Sequence, residues 1–215
     1  MAEGLILDDL RIAQGARMLV ALNEAVGPGE VLTVMGPSGS GKSTLLAAIT
    51  GTLAPAFALS GRVLLDGRDI TALPPESRRT GILFQDELLF PHLSVGGNLA
   101  FGLPRAVRGR AARRARVEEA LAEVGLAGFA GRDPATLSGG QKARVALMRT
   151  LLAAPRALLL DEPFSRLDAH LRDQVRRLVF DRARADRLPV LLVTHDAEDA
   201  AAAGGRVIRL DPEAP

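Results

Sequence analysis

The chain has 215 residues, 47 % hydrophobic and 24 % charged, enough for one substantial core or one domain with an inserted subdomain. No apolar run approaches the roughly 20 residues of a membrane-spanning helix, Met1-Ala2-Glu3-Gly4 does not open a secretory signal, and the lack of cysteine excludes disulfides and thiolate metal sites. The formal charge is only +2; the pI near 9.8 arises because, without Tyr or Cys and with Lys42 and Lys142 as the only lysines, little titrates between neutrality and arginine.

Short strands broken by turns are expected over the first 35 residues, with Gly27-Pro28-Gly29 the clearest break. The apolar run Val31-Leu32-Thr33-Val34-Met35 leads into Gly36-Pro37-Ser38-Gly39-Ser40-Gly41-Lys42-Ser43-Thr44, and a helical run follows from Leu45 to Ile49. Strand, glycine loop, helix is the context of a phosphate-binding P-loop. The glycines let successive backbone N–H groups turn around a phosphate, and the helix N-terminus adds partial positive charge. Lys42 would bring its ammonium to the outer phosphates, and the Ser43 hydroxyl is placed for Mg²⁺. In a chain that otherwise uses arginine, a lysine here implies that a planar guanidinium does not fit.

Further strands are expected from Gly61 to Leu65, ending at the Asp66-Gly67 turn, and from Gly81 to Phe84, leading into Gln85. From about residue 86 the character changes. Prolines, an arginine cluster and a helical pattern through Val117, Leu121 and Val124 predict a mostly helical insert. Arg105, Arg108, Arg110, Arg113, Arg114 and Arg116 have no interleaved aromatics, so they suit a solvated helix face better than nucleic acid. Anionic lipid headgroups are the other reading of that cluster. Residues 139–153 predict a strong helix, Ala157–Leu160 and Val190–Val193 buried strands, and roughly Asp168–Ala185 a helix between them. Strands alternating with helices imply a parallel sheet covered on both faces. No internal repeat or low-complexity tail is present.

Four more motifs bear on chemistry. Asp161-Glu162-Pro163 ends a predicted parallel strand, where carboxylates face a ligand crevice; Asp161 suits the Mg²⁺ shell and Glu162 can accept a proton from an attacking water. The Gln85 amide could reach Mg²⁺ or that water, although the local sequence alone favours a solvated loop glutamine. His195, in Thr194-His195-Asp196, could touch a terminal phosphate; the plainer reading is a loop histidine beside an N-cap made by Thr194 or Asp196. His92 and His170 read as structural. Leu137-Ser138-Gly139-Gly140-Gln141 opens the long helix and forms a second anion-binding helix N-terminus about 95 residues after the first, which suggests a different nucleotide in another copy of the chain.

Together GPSGSGKST, Gln85, LSGGQ, LLLDEP, Ser165-Arg166-Leu167-Asp168 and His195 resemble the nucleotide-binding subunit of ABC transporters. The resemblance spans nearly the whole chain, in family order and spacing. It implies an α/β P-loop NTPase fold with a mixed, mainly parallel central sheet, N-terminal antiparallel strands and a helical subdomain at roughly 86–153, all within a single domain over 1–215. It also implies ATP and Mg²⁺ as ligands and a head-to-tail homodimer holding two ATP molecules. Each would lie between one P-loop, Gly36 to Thr44, and the partner's Ser138, Gly139, Gly140 and Gln141. Glu162 would be the general base, His195 would position water and γ-phosphate, and Lys42 and Gln85 would complete the catalytic set. Ser43, Gln85 and Asp161 would face Mg²⁺, Asp161 through water, and Asp168 would link the two sites.

The stretches Phe84-Gln85-Asp86, Phe90 to Val95 and Asn98 to Leu103 resemble what importer ATPases present to a permease. The expected protein is therefore the bacterial ATP-hydrolysing subunit of a binding-protein-dependent importer. It would be peripheral on the cytoplasmic face of the inner membrane, touch the permease through roughly 86–103 and meet the solute-binding protein only indirectly. An exporter or lipoprotein-release ATPase is the alternative; a nucleic-acid ATPase lacks support, as there is no coiled coil or zinc cysteine. Two departures carry expectations. Near Gln14 there is no Tyr or Trp to stack on adenine, so ATP and GTP should be weakly discriminated. The chain ends about 20 residues past His195, so no C-terminal regulatory domain is expected.

Overall fold

The computed structural model describes residues 3–210. They divide into two compact units: one drawn from the described residues up to Ile82, Arg156–Glu162 and those from Phe180 onward, the other from Leu83–Pro155 and Pro163–Val179.

In the first unit, β1 (Leu5–Gln14) and β2 (Arg17–Val26) form an antiparallel hairpin. β3 (Val31–Met35) runs into α1 (Lys42–Thr50), and β4 (Ala58–Leu65) and β5 (Arg68–Asp69) complete a four-stranded sheet of order β2-β1-β4-β5. β6 (Thr80–Leu83), β7 (Ala157–Asp161), β8 (Val190–Thr194) and β9 (Arg206–Arg209) join β3 in a five-stranded sheet of order β6-β7-β8-β3-β9. β1 buries Leu5 and Leu7, then Leu10 and Ile12. A strict period of two would send Leu10 to the opposite face. A bulge at Asp8–Asp9, with Asp9 at φ 44°, restores the inward direction. Gly61 is required opposite it, since a Cβ there would lie 2.1 Å from the Asp9 carbonyl oxygen.

β7 and β8 are continuous apolar runs because both faces are covered. β3 pairs with β8 and β9 in parallel, and β7 pairs with β8 in parallel. Met35 lies opposite Thr194, and Asp161 opposite Val193. That register brings three strand ends together: the glycine loop after β3, Asp161-Glu162 at the end of β7 and His195 after β8. The rear of α1 is held by Arg78, buried, whose guanidinium donates to the Ala48 and Ile49 carbonyls at 2.7 and 3.0 Å and to the Leu73 carbonyl at 2.7 Å. A cation on the last-turn carbonyls also opposes the helix dipole favourably. Burial pulls the Arg78 pKa down.

The second unit is helical. α2 (Val95–Gly102), α3 (Arg110–Glu123) and α4 (Gly139–Leu152) enclose a core that includes Leu99, Val117, Leu121, Val145 and Met148. α5 (Ala169–Ala185) starts here and runs on into the first unit. α3 buries Val117, Ala120 and Leu121 at i, i+3 and i+4. The arginine cluster is not wholly a solvated face, because the Arg113 guanidinium donates to the Val107 and Ala100 carbonyls. β6 ends at Leu83, so Phe84 falls outside the strand and is 42 % exposed.

Candidate active site

The glycine loop closes on itself through its lysine. Gly41, at φ 92°, is the N-cap of α1, and a Cβ there would lie 2.9 Å from Val20 Cγ2. At Gly36 a Cβ would sit 2.6 Å from Ser40 Oγ. Lys42 is only 7 % exposed, and its ammonium donates to the Gly36 and Pro37 carbonyls at 2.7 and 2.8 Å. Ser40 Oγ is buried with no hydrogen-bond partner among the described residues, whereas Ser43, Ser38 and Gly39 are exposed. An orphaned hydroxyl and a buried ammonium at a glycine-rich helix start fit a phosphate chain.

At the end of β7, burial raises the Asp161 pKa; the adjacent Glu162 charge adds to this and Lys42 opposes it. Glu162 adopts φ 46°, a conformation uncommon outside glycine, and its N–H donates to the Val193 carbonyl at 2.9 Å. Its carboxylate Oε1 lies 3.0 Å from His195 Nδ1. The loop carrying His195 is anchored on both sides. Thr194 Oγ1 accepts from the Asp196 N–H and donates to buried Asp199, both at 3.0 Å. Asp196 caps α6 (Ala197–Ala203) through the Glu198 N–H. The N-cap and the Glu162 contact therefore coexist, with Asp196 as the cap.

Among the described residues no three His, Cys, Asp or Glu side chains converge as a metal cage. Ser43 and Asp161 are the residues that could face a Mg²⁺ accompanying phosphate oxygens.

The remaining candidates lie in the second unit. Gln85 is exposed just past β6, and Asp86 pairs with Arg166. Asp168 Oδ1 accepts the Leu171 N–H at 3.0 Å, opening α5. Ser138 caps α4 in a reciprocal box: the Gln141 N–H donates to Ser138 Oγ at 3.3 Å and the Ser138 N–H to Gln141 Oε1 at 3.0 Å. A Cβ on Gly140 would lie 2.1 Å from Leu171 Cδ2, so that glycine is a packing requirement. Gly139 has no neighbour within 4 Å of such a Cβ. Local structure accounts for Gln141 and Gly140 and gives no reason for Gly139. Sequence reasoning missed Asp199 and Arg149. Arg149 donates to the Leu88 and Glu87 carbonyls at 2.8 and 3.3 Å and so fixes the segment after Gln85.

The ABC transporter family profile matches residues 19–165. The chain belongs to that family. Like its members it is an ATP-binding ATPase. The ABC transporter ATP-binding protein YnjD of Escherichia coli K12, itself uncharacterized, is 53 % identical over 187 residues, covering 87 % of this chain and 86 % of YnjD. The thiamine import ATP-binding protein ThiQ of Cereibacter sphaeroides is 50 % identical over 194 residues, covering 90 % and 82 %. The dimeric structure of MJ0796, a bacterial ABC transporter cassette, superposes with a TM-score of 0.81 at 31 % identity, covering 97 % and 94 %. The two-sheet fold with its helical unit is thus the ABC cassette fold.

Proposed function

We propose that this ABC ATPase hydrolyses ATP with Mg²⁺ to power a binding-protein-dependent importer, working as a head-to-tail homodimer on the cytoplasmic face of a bacterial inner membrane. The carrying observation is the Glu162–His195 pair at 3.0 Å, built at the same strand ends as Lys42 and Asp161. Lys42 would hold the outer phosphates of ATP, and Ser43, Gln85 and, through water, Asp161 would hold Mg²⁺, which would neutralise charge on the γ-phosphoryl group. Glu162 takes the proton of the attacking water while His195 orients the carboxylate and the terminal phosphate. Ser138, Gly139, Gly140 and Gln141 complete the partner's site, which supplies the reason for Gly139 that local packing does not. Asp168 relays between the two sites.

The import reading is supported by relatives named for import, including ThiQ and the taurine import protein TauB of Pseudomonas entomophila, 45 % identical over 195 residues. No helix among the described residues is long and apolar enough to cross a membrane. The permease contact is assigned to roughly 86–103, where Leu88 and Phe101 are 56 % and 68 % exposed.

Glu162→Gln keeps the shape of the side chain and removes its basicity. The variant should bind ATP·Mg²⁺, lose on the order of 10²-fold or more in turnover, and accumulate as an ATP-bound dimer in size-exclusion chromatography. Near-normal phosphate release would take the base role from Glu162.

A further inference from the structure

The arginines at the start of α3 stand where the helix itself penalises them. Residues 103–117 hold six arginines and no acidic residue, in a chain whose formal charge is +2, so the rest of the chain is net negative. α3 begins at Arg110 with Gly109 as N-cap, no side-chain cap and no acidic residue in its first turn. Cations at a helix N-terminus oppose the macrodipole. Other helix arginines are paired locally: Arg176 with Asp173, Arg184 with Asp181 and Arg182 with Asp186 along and just past α5, and Arg116 with Glu119 later in α3. Arg105, Arg108, Arg110 and Arg114 are exposed and make no ion pair among the described residues. Arg110, Arg113 and Arg114 line a groove of about 950 Å³ together with Gly96, Gly97, Ala130 and Gly131, and Glu118 is the one acidic side chain in its lining.

We infer that this face docks on anionic phospholipid headgroups. The charge is dense and the four side chains are not preset by hydrogen bonds, which suits a diffuse lipid surface better than a stereospecific protein contact; aromatic platforms for nucleic acid are missing. The inference rests on the importer reading only in placing the chain at a membrane. Its test needs neither ATP nor a permease, so its failure leaves the ATPase reading standing.

The test is cosedimentation of the full chain with phosphatidylcholine vesicles, with and without phosphatidylglycerol. Selective partition into the anionic vesicles is expected, weakened by salt. Each near-surface arginine contributes roughly fivefold, so a chain carrying Arg105→Gln, Arg108→Gln, Arg110→Gln and Arg114→Gln should lose on the order of 10³-fold. The same charge removed by Arg11→Gln, Arg62→Gln, Arg68→Gln and Arg187→Gln should leave partition nearly unchanged. The first variant should keep its circular dichroism, since removing N-terminal cations favours α3. Equal partition into both vesicles, equal losses in the two variants, or tighter capture of poly-glutamate or poly-uridine RNA would each overturn the lipid assignment.

Discussion

Asp161 is half-buried beside another carboxylate, and Lys42 offsets only part of that cost, because its ammonium also serves the Gly36 and Pro37 carbonyls. A carboxyl whose folded pKa is raised binds its proton more tightly in the native state than in the unfolded one. Its charge therefore weakens folding above the folded pKa, and the penalty fades as pH falls through that value to the ordinary carboxylate range. Asp161→Asn should raise the melting temperature of the nucleotide-free chain at neutral pH, with a gain that shrinks under acid. Mg²⁺·ATP should stabilise this variant less than wild type, since the cation loses its carboxylate. Thermal unfolding across pH, with and without Mg²⁺·ATP, measures both; an Asn variant that melts lower at neutral pH would mean that Lys42 more than compensates the carboxylate.

The importer-like stretch from Phe90 to Leu103 read in sequence as a surface, and the structure splits it. Val95, Asn98, Leu99 and Leu103 are buried. Asn98 Oδ1 accepts the Phe90 N–H at 2.8 Å, and Nδ2 donates to the Phe90, Leu93 and Ser94 carbonyls at 3.1, 3.3 and 3.1 Å. Asn98→Ala strands several of these groups at once, so a loss of about 2–4 kcal/mol is expected in denaturant unfolding, with faster hydrogen exchange over 88–94. A loss below about 0.5 kcal/mol would show that water replaces the amide. The same contacts explain why α2 was illegible in detail. Val-Gly-Gly-Asn-Leu is a poor helix former, and it folds because the Val95 and Gly96 N–H groups donate to Arg132 and Ala130 and Ser94 caps Gly97. By contrast β7, β8, α4 and α5 were legible, since a continuous apolar run or a long helical period outweighs local ambiguity. β9 is a four-residue edge strand with no such signal. Within the site, each residue type was readable from its motif, but the Glu162–His195 contact depends on the parallel register of β7 against β8, a tertiary fact.

At the scale of the whole molecule, each chain has one P-loop and one capped glycine start, so two copies provide two of each. If each ATP lies between the P-loop of one copy and Ser138 of the other, Ser138→Arg should spare nucleotide binding by the single chain and reduce turnover of the assembled transporter by on the order of 10²-fold. Ser138→Ala separates the loss of the helix cap, worth about 1 kcal/mol, from the obstruction caused by a long cation. The decisive case is a mixture of Ser138→Arg and Lys42→Ala chains. A head-to-tail pair then contains one site with both changes and one site with neither, so part of the turnover should return although each parent is inactive. The chain has no native cysteine, so Ser138→Cys in one copy and Ser38→Cys in the other give a clean crosslink between the capped start and the partner's P-loop. No recovery with efficient crosslinking would mean that both sites must fire together; no recovery and no crosslink would exclude the head-to-tail arrangement.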